Sequence, residues 1–255
     1  MNELYVRFNL QDAVFSVQSE DFYSEKMMEA SKEEIDKYTE ECKIRQREMA
    51  DVLKKEIDLS HIFGKKVLYL GDSITADRKG YRGITTYAAD FKATNGAISG
   101  GTSTDMLCFI KSNIEKSDAE IISIMIGTND SGAIDGDFYI VSPDEYRRNI
   151  RELLRISKEK TDKIIISTLT PMNEEAFCRM NNFAYDGKYQ KMKNVMSEIV
   201  REESQRAGVL LNDAYLHMKD MDKSVILEND GVHLTEEGHF RYAKNWLLNA
   251  LELYK

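Results

Sequence analysis

The chain has 255 residues, 31% of them charged, and a formal net charge of -9. That length suffices for one substantial α/β domain with its own core plus an accessory segment, and the acidic balance argues against nucleic acid as a partner. Three scattered cysteines, Cys42, Cys108 and Cys178, match neither a disulfide framework nor a zinc site, and no apolar run approaches the roughly 20 residues that span a bilayer. With no basic segment followed by an apolar stretch at the start, the expectation is a cytoplasmic protein with free, buried thiols and no membrane insertion.

Residues 4–17 alternate in places (Val6, Phe8, Leu10, then Ala13, Phe15, Val17) around Gln11-Asp12, which predicts a short hairpin. From Glu20 to Ile57 there is no Gly or Pro, and Met28, Ile35, Cys42 and Met49 recur every seven positions, the pattern of one long amphipathic helix. Tyr38 and Val52 lie on a neighbouring row that also holds Ser31 and Arg45, so a helix packed along the rest of the chain competes with a coiled coil. A homo-oligomer formed through this helix, or a cover over the remainder of the chain, is the expectation. The chain divides into an N-terminal extension, residues 1–61, and a second unit, residues 62–255.

After Gly64 the pattern changes to short apolar runs separated by helical stretches, the mark of βα alternation. Strands are predicted at Val67 to Leu70, Lys92 to Asn95, Ile121 to Ile126, Lys163 to Leu169 and Val209 to Asn212. Helices are predicted around Gly83 to Asp90, Ser103 to Lys116, Pro143 to Lys160 and Lys188 to Ala207, and from just after Thr235 to the end. Ser142-Pro143-Asp144-Glu145 is a strong helix start, with a capping hydroxyl, Pro at the first position and acids near the positive end of the dipole. Residues 171–190 read as the longest irregular stretch of this second unit.

Chemistry concentrates at the ends of the predicted strands. Gly71-Asp72-Ser73-Ile74 follows the first apolar strand and delivers a serine to its carboxyl end, where open α/β sheets bind ligands. Acyl transfer by serine needs a base, a carboxylate to orient that base, and donors for the oxyanion. Asp230-Gly231-Val232-His233 can present carboxylate and imidazole on one short loop. Asn95 to Thr102 is a glycine-rich loop opening a helix, where backbone N–H groups can approach a ligand, and Gly127-Thr128-Asn129-Asp130 ends a strand in glycine followed by an amide. Asp72 most simply holds its turn, and Asp130 is read as structural. His61, His217 and His239 have no partner pattern, and His239 falls on the last helix.

These four blocks, in this order and spacing, resemble the SGNH (GDSL-type) hydrolase family over about residues 65 to 255. The resemblance implies a flavodoxin-like three-layer α/β/α fold with a central parallel sheet, serine esterase or acylhydrolase activity, and no metal or organic cofactor. It assigns Ser73 as nucleophile, Asp230 and His233 as the rest of a triad, and Gly100 and Asn129 as oxyanion donors beside the Ser73 N–H. The serine is not in a Gly-x-Ser-x-Gly elbow, since Thr75 stands at the last position. On this reading the substrate is a short-chain, most simply acetyl, ester of a small molecule or carbohydrate. The alternatives are a lysophospholipase or thioesterase for longer chains, and a non-catalytic binding or assembly protein on the same fold. Phe177, Met180, Phe183 and Tyr185, on the segment after a strand, are candidates for lining a substrate pocket.

Overall fold

A strand covered on both faces needs apolar residues at every position, and Val67-Leu68-Tyr69-Leu70 supplies them. The computed structural model describes residues 31–135 and 138–255. The hairpin expected over residues 4–17 and the helix expected over residues 20–30 lie outside the described residues.

The first described helix, α1 (Lys32–Glu56), begins at Ser31 with a capping box. Glu34 N–H donates to the Ser31 hydroxyl, and Ser31 N–H donates to the Glu34 carboxylate at 2.8 Å. Ser31 has extended backbone angles, so the helix starts there rather than running unbroken from residue 20. β1 (Lys66–Gly71) then leads to the one-turn α2 (Ser73–Ala76) and to α3 (Tyr81–Ala89), and β2 (Lys92–Asn95) leads to α4 (Ser103–Lys116). β3 (Ile121–Met125) is followed by a small antiparallel pair, β4 (Ala133–Asp135) and β5 (Phe138–Tyr139), and by α5 (Pro143–Lys158). Next come β6 (Ile164–Ser167), α6 (Glu174–Asn181), α7 (Lys188–Ala207) and β7 (Leu210–Asn212). The chain closes with two short helices, α8 (Ala214–Met218) and α9 (Lys223–Ile226), and the long α10 (Glu236–Glu252).

The five main strands pair in parallel in the order β2-β1-β3-β6-β7. Side chains alternate across this sheet. Val67, Tyr69, Ile121, Met125 and Ile165 join one core with α1, α3 and α10, while Leu68, Leu70, Ile122, Ile124, Ile164 and Ile166 join the other with α4, α5 and α7. The result is the three-layer α/β/α arrangement that the βα alternation predicts. On the first face, the buried Trp246 indole donates to Ser123 Oγ at 3.0 Å, and the Tyr242 hydroxyl donates to Ser167 Oγ at 2.6 Å.

α1 belongs to that face. Its stripe of Ile35, Cys42, Gln46, Ala50 and Leu53 is buried, with Ala50 and Leu53 in the same core as Trp246. The Gln46 amide donates to the carbonyls of Arg78 at 2.9 Å and Gly80 at 3.0 Å, on the chain between α2 and α3.

Three sequence expectations need correction. Residues 171–190 are not irregular throughout, because α6 forms within them, capped by Asn173 and ended by Asn182 in the left-handed region at φ 56°. β3 and β6 stop short of Ile126 and Leu169, since parallel pairing ends where the neighbouring strand ends. Cys42 and Cys178 are buried free thiols, whereas Cys108 is exposed on the outer face of α4.

Candidate active site

Ser73 is the first residue of α2, one step past the end of β1. Asp72 caps that turn, its Oδ1 accepting from Ile74 N–H at 3.1 Å. Gly71 is required by close approach. A Cβ there would stand 2.5 Å from the Met125 carbonyl of β3 and 2.2 Å from Thr75 Oγ1. Tight packing of the strand end therefore fixes where the serine emerges.

The loop from Asp230 to His233 precedes α10 and lies between α9 and the cap of α6. Glu228 N–H donates to the His233 carbonyl at 2.8 Å, and Asn173 N–H donates to the Gly231 carbonyl at 2.8 Å. Gly231 turns the loop with φ +75°, and a Cβ on it would come within 2.3 Å of the Asn173 carbonyl. Asp230 holds the loop from inside, Oδ1 accepting from the N–H groups of Val232 at 2.8 Å and His233 at 2.9 Å. Its other oxygen, Oδ2, is 2.5 Å from His233 Nδ1, and His233 Nε2 is 2.9 Å from Ser73 Oγ. With the Nδ1 proton directed to the carboxylate, Nε2 is left to accept from the serine hydroxyl. Burial opposes charge on Asp230, but the His233 ring and the two N–H groups outweigh it and bring the carboxyl down to about 2.

Two further loops face the same point. Gly100 takes φ +76° at the end of the β2 loop, and Asn129 lies beyond β3. Asn129 Nδ2 donates to the Gly101 carbonyl at 2.9 Å, which uses one of its two N–H groups and ties the loops together. Asp130 ties them again from below. Both of its oxygens accept from Ser103 N–H at 3.0 Å, and the Ser103 hydroxyl donates to Oδ1. Asn149 of α5 completes the network by donating to Ser103 Oγ at 2.9 Å and to Thr104 Oγ1 at 3.0 Å. Asp130 is wholly buried, and burial pushes its carboxyl up to about 6 against the pull of the Ser103 groups.

Ser73, Gly100, Asn129, Asp230 and His233 all line one cavity of about 630 Å³. Thr102, Thr128 and Ser131 extend its polar side, and Ile140, Met172, Phe177, Met180, Phe183, Tyr189 and Val232 form an apolar side. Of the four residues proposed from sequence to line a pocket, Phe177, Met180 and Phe183 do so, while Tyr185 is 64% exposed and lies outside the lining. The rings of Phe177, Phe183 and Tyr189 are mutual neighbours, with centroids 5.1 to 6.1 Å apart.

Several residues at or near the site escape a sequence reading. Tyr189 and Lys193 reach the cavity from α7, and the available signal was their place on the apolar row with Met192, Met196 and Val200. Glu174 is buried and caps α7 from a neighbouring helix, accepting from the N–H groups of Tyr189 at 3.2 Å and Gln190 at 3.0 Å. His239 does lie on the last helix, but fully buried, accepting from Tyr81 N–H at Nδ1 and sitting 3.1 Å from Asp77 Oδ2 at Nε2. That pairing spans 162 residues, so no local pattern reveals it. Among the described residues, no group of three or more His, Cys, Asp or Glu is placed to hold a metal ion. No described helix is long and apolar enough to cross a membrane.

A parallel sheet with helices on both faces and a serine–histidine–aspartate chain at its carboxyl edge defines the architecture of a serine hydrolase. The family model for the GDSL-like Lipase/Acylhydrolase family matches residues 69–241, a span holding all four sequence blocks. The chain belongs to that family of carboxylic ester hydrolases, as its motifs suggested. Among known proteins it is similar to the uncharacterized lipoprotein YqeF of Bacillus subtilis (strain 168). The two are 24% identical over 163 residues, 56% of this chain and 67% of the relative. Among solved structures it is similar to LAE5, an alpha/beta hydrolase enzyme from the metagenome of Lake Arreo, Spain (TM-score 0.62, 19% identity, 76% of this chain and 99% of that one). It is also similar to Axe2, an acetylxylan esterase from Geobacillus stearothermophilus (TM-score 0.61, 22% identity, 74% and 94%). A third is a lipase/acylhydrolase from Enterococcus faecalis (TM-score 0.57, 19% identity, 74% and 93%). At these identities the structural likenesses speak for the fold.

Proposed function

We propose that the protein hydrolyses short-chain carboxylic esters, acetyl esters above all, of small molecules or carbohydrates through an acyl-enzyme on Ser73. The observation that carries this reading is the unbroken chain from Ser73 Oγ to His233 Nε2 at 2.9 Å and from His233 Nδ1 to Asp230 Oδ2 at 2.5 Å, open to a cavity. His233 takes the hydroxyl proton as Ser73 Oγ attacks the ester carbonyl, and Asp230 stabilises the imidazolium that results. The oxyanion is held by the N–H groups of Ser73 and Gly100 and by the Asn129 Nδ2–H not used by Gly101. His233 then gives its proton to the leaving alcohol. Water enters, loses a proton to the same nitrogen and attacks the acyl carbonyl, and collapse of that adduct releases the acid and returns the proton to Ser73.

An acetyl group fills a small part of about 630 Å³, so in this reading the alcohol occupies the apolar side of the cavity. The acetylxylan esterase among the structural neighbours supports acetyl transfer to water as the reaction of this fold. The apolar wall of Met172, Phe177, Met180 and Phe183 favours a second reading, an acylhydrolase such as a lysophospholipase or thioesterase with a longer acyl chain along that wall. Initial rates on p-nitrophenyl acetate, butyrate and octanoate separate the two. The expected order is acetate first, and a clear preference for octanoate overturns it.

A cytoplasmic location is part of the proposal, supported by three cysteines that remain unpaired. A homodimer through α1 is a further element, using the face where Ile44 and Val52 are exposed, since the opposite stripe is buried within the chain. Light scattering on the full chain tests it, and a monomer mass at high concentration removes it.

A further inference from the structure

Two buried groups beside the Ser73–His233–Asp230 chain take no part in its proton path. Lys193 is 1% exposed on α7 and lines the catalytic cavity, and its Nζ has no hydrogen-bond partner. Asp72 is 0% exposed and stands directly ahead of Ser73. Its Oδ1 accepts from Ile74 N–H, while Oδ2 has no hydrogen-bond partner. A buried ammonium and a buried carboxylate are each strongly disfavoured alone and offset one another when close.

We infer that Lys193 is a positioning residue: its ammonium is the internal counter-charge of Asp72, and the pair holds the turn that carries Ser73. The inference rests on the reading of Ser73 as nucleophile. Burial pulls Lys193 down to about 8, against the charges of Asp72 and then Asp230, so the side chain is still cationic at neutral pH. Burial pushes the Asp72 carboxyl upward, and the Ile74 N–H, the Thr128 hydroxyl, Lys193 and His233 pull it back. A charged carboxylate accepts from the Ile74 N–H more strongly than a neutral acid, so the counter-charge tightens the first turn of α2. Without Lys193, Asp72 either stays charged and uncompensated or takes up a proton and loosens that cap.

A double-mutant cycle of Lys193→Met, Asp72→Asn and both together tests the pair, because Asn keeps the cap acceptor and Met keeps the volume while each removes one charge. Turnover of p-nitrophenyl acetate and the thermal unfolding midpoint are read for all four proteins. Each single change is expected to lower kcat by roughly tenfold or more, with KM within about twofold. Each is also expected to lower the midpoint by roughly 6 °C or more. The double variant should recover most of both losses, since no uncompensated charge remains. Additive losses, or wild-type behaviour of Lys193→Met, overturn the proposal. Should Lys193→Met fail to fold, a folded double variant supports the pair and an unfolded one refutes it. The unfolding readout needs no turnover, so it judges the pair even if Ser73 is not the nucleophile, which undiminished hydrolysis by Ser73→Ala would reveal separately.

Discussion

The polar and apolar sides of the cavity are held by different means. The polar side is built from the ends of β1, β2 and β3, where Ser73 is 8% exposed, Asp130 is 0% exposed, and Asn129 and Ser103 bridge neighbouring loops. The apolar side comes largely from the eight-residue α6 and the residues after it, where Met180 is 58% and Phe183 48% exposed. The first is over-determined by backbone and buried hydrogen bonds. The second is an array of side chains on a short helix, and it can change without moving the first. Reaction type and substrate choice are thereby assigned to separate parts of the structure.

The largest effect that could break this comparison is at Ser73. Ser73→Ala is expected to lower kcat by at least about ten-thousand-fold on any ester while leaving the unfolding midpoint nearly unchanged. A midpoint that fell with the activity would mean the serine is structural. Next is Asn129→Ala, expected to lower kcat by about a hundred- to a thousandfold with a smaller change in KM, measured by steady-state kinetics. Equal loss in binding and turnover would place Asn129 among ground-state contacts and move it to the substrate-selecting side.

Asp130 sharpens the comparison through pH. Its carboxyl sits at about 6 in the folded chain against an ordinary value of 3.8, so the folded state binds the proton more tightly than the unfolded state. Its contribution to stability is therefore fully present below about pH 4 and is lost as pH rises through about 6. Relative to wild type, Asp130→Asn should gain on the order of 1 to 3 kcal/mol between pH 4 and 7 in urea unfolding, and a pH-independent difference would contradict the burial argument. Asp230, held at about 2, has the opposite sign: its contribution is present above pH 3.8 and fades as pH falls toward 2. The smallest expected effect lies on the apolar side. Phe183→Ala should change kcat/KM by roughly threefold to tenfold on esters with bulky alcohols and hardly at all on the smallest substrates. A uniform loss across the series would show that this side supports the catalytic residues after all.

The catalytic side was legible in the sequence because its determinants are local. Gly71 to Ile74 and Asp230 to His233 each place their groups within a few residues, and Ser142-Pro143 starts α5 as its capping chemistry dictates. The parallel sheet followed from apolar runs alternating with amphipathic stretches. What escaped was set at long range. α6 has a capping Asn173 and two acids in its first turn, but eight residues of mixed character gave too little periodicity to outweigh a loop reading. Lys193 sits among Lys188 and Lys191, and only packing against the sheet distinguishes it from those surface lysines. Asp77 and His239 meet across 162 residues, which sequence order conceals.

Gly71 gives the motif a second origin. The Met125 carbonyl leaves no room for a side chain there, so the first letter of Gly-Asp-Ser is written by the neighbouring strand rather than by the reaction. A chain that discarded its nucleophile could keep that glycine indefinitely, for reasons of strand spacing alone. One that exchanged it for alanine would displace an intact serine from its histidine, becoming inert with every reacting group still in place.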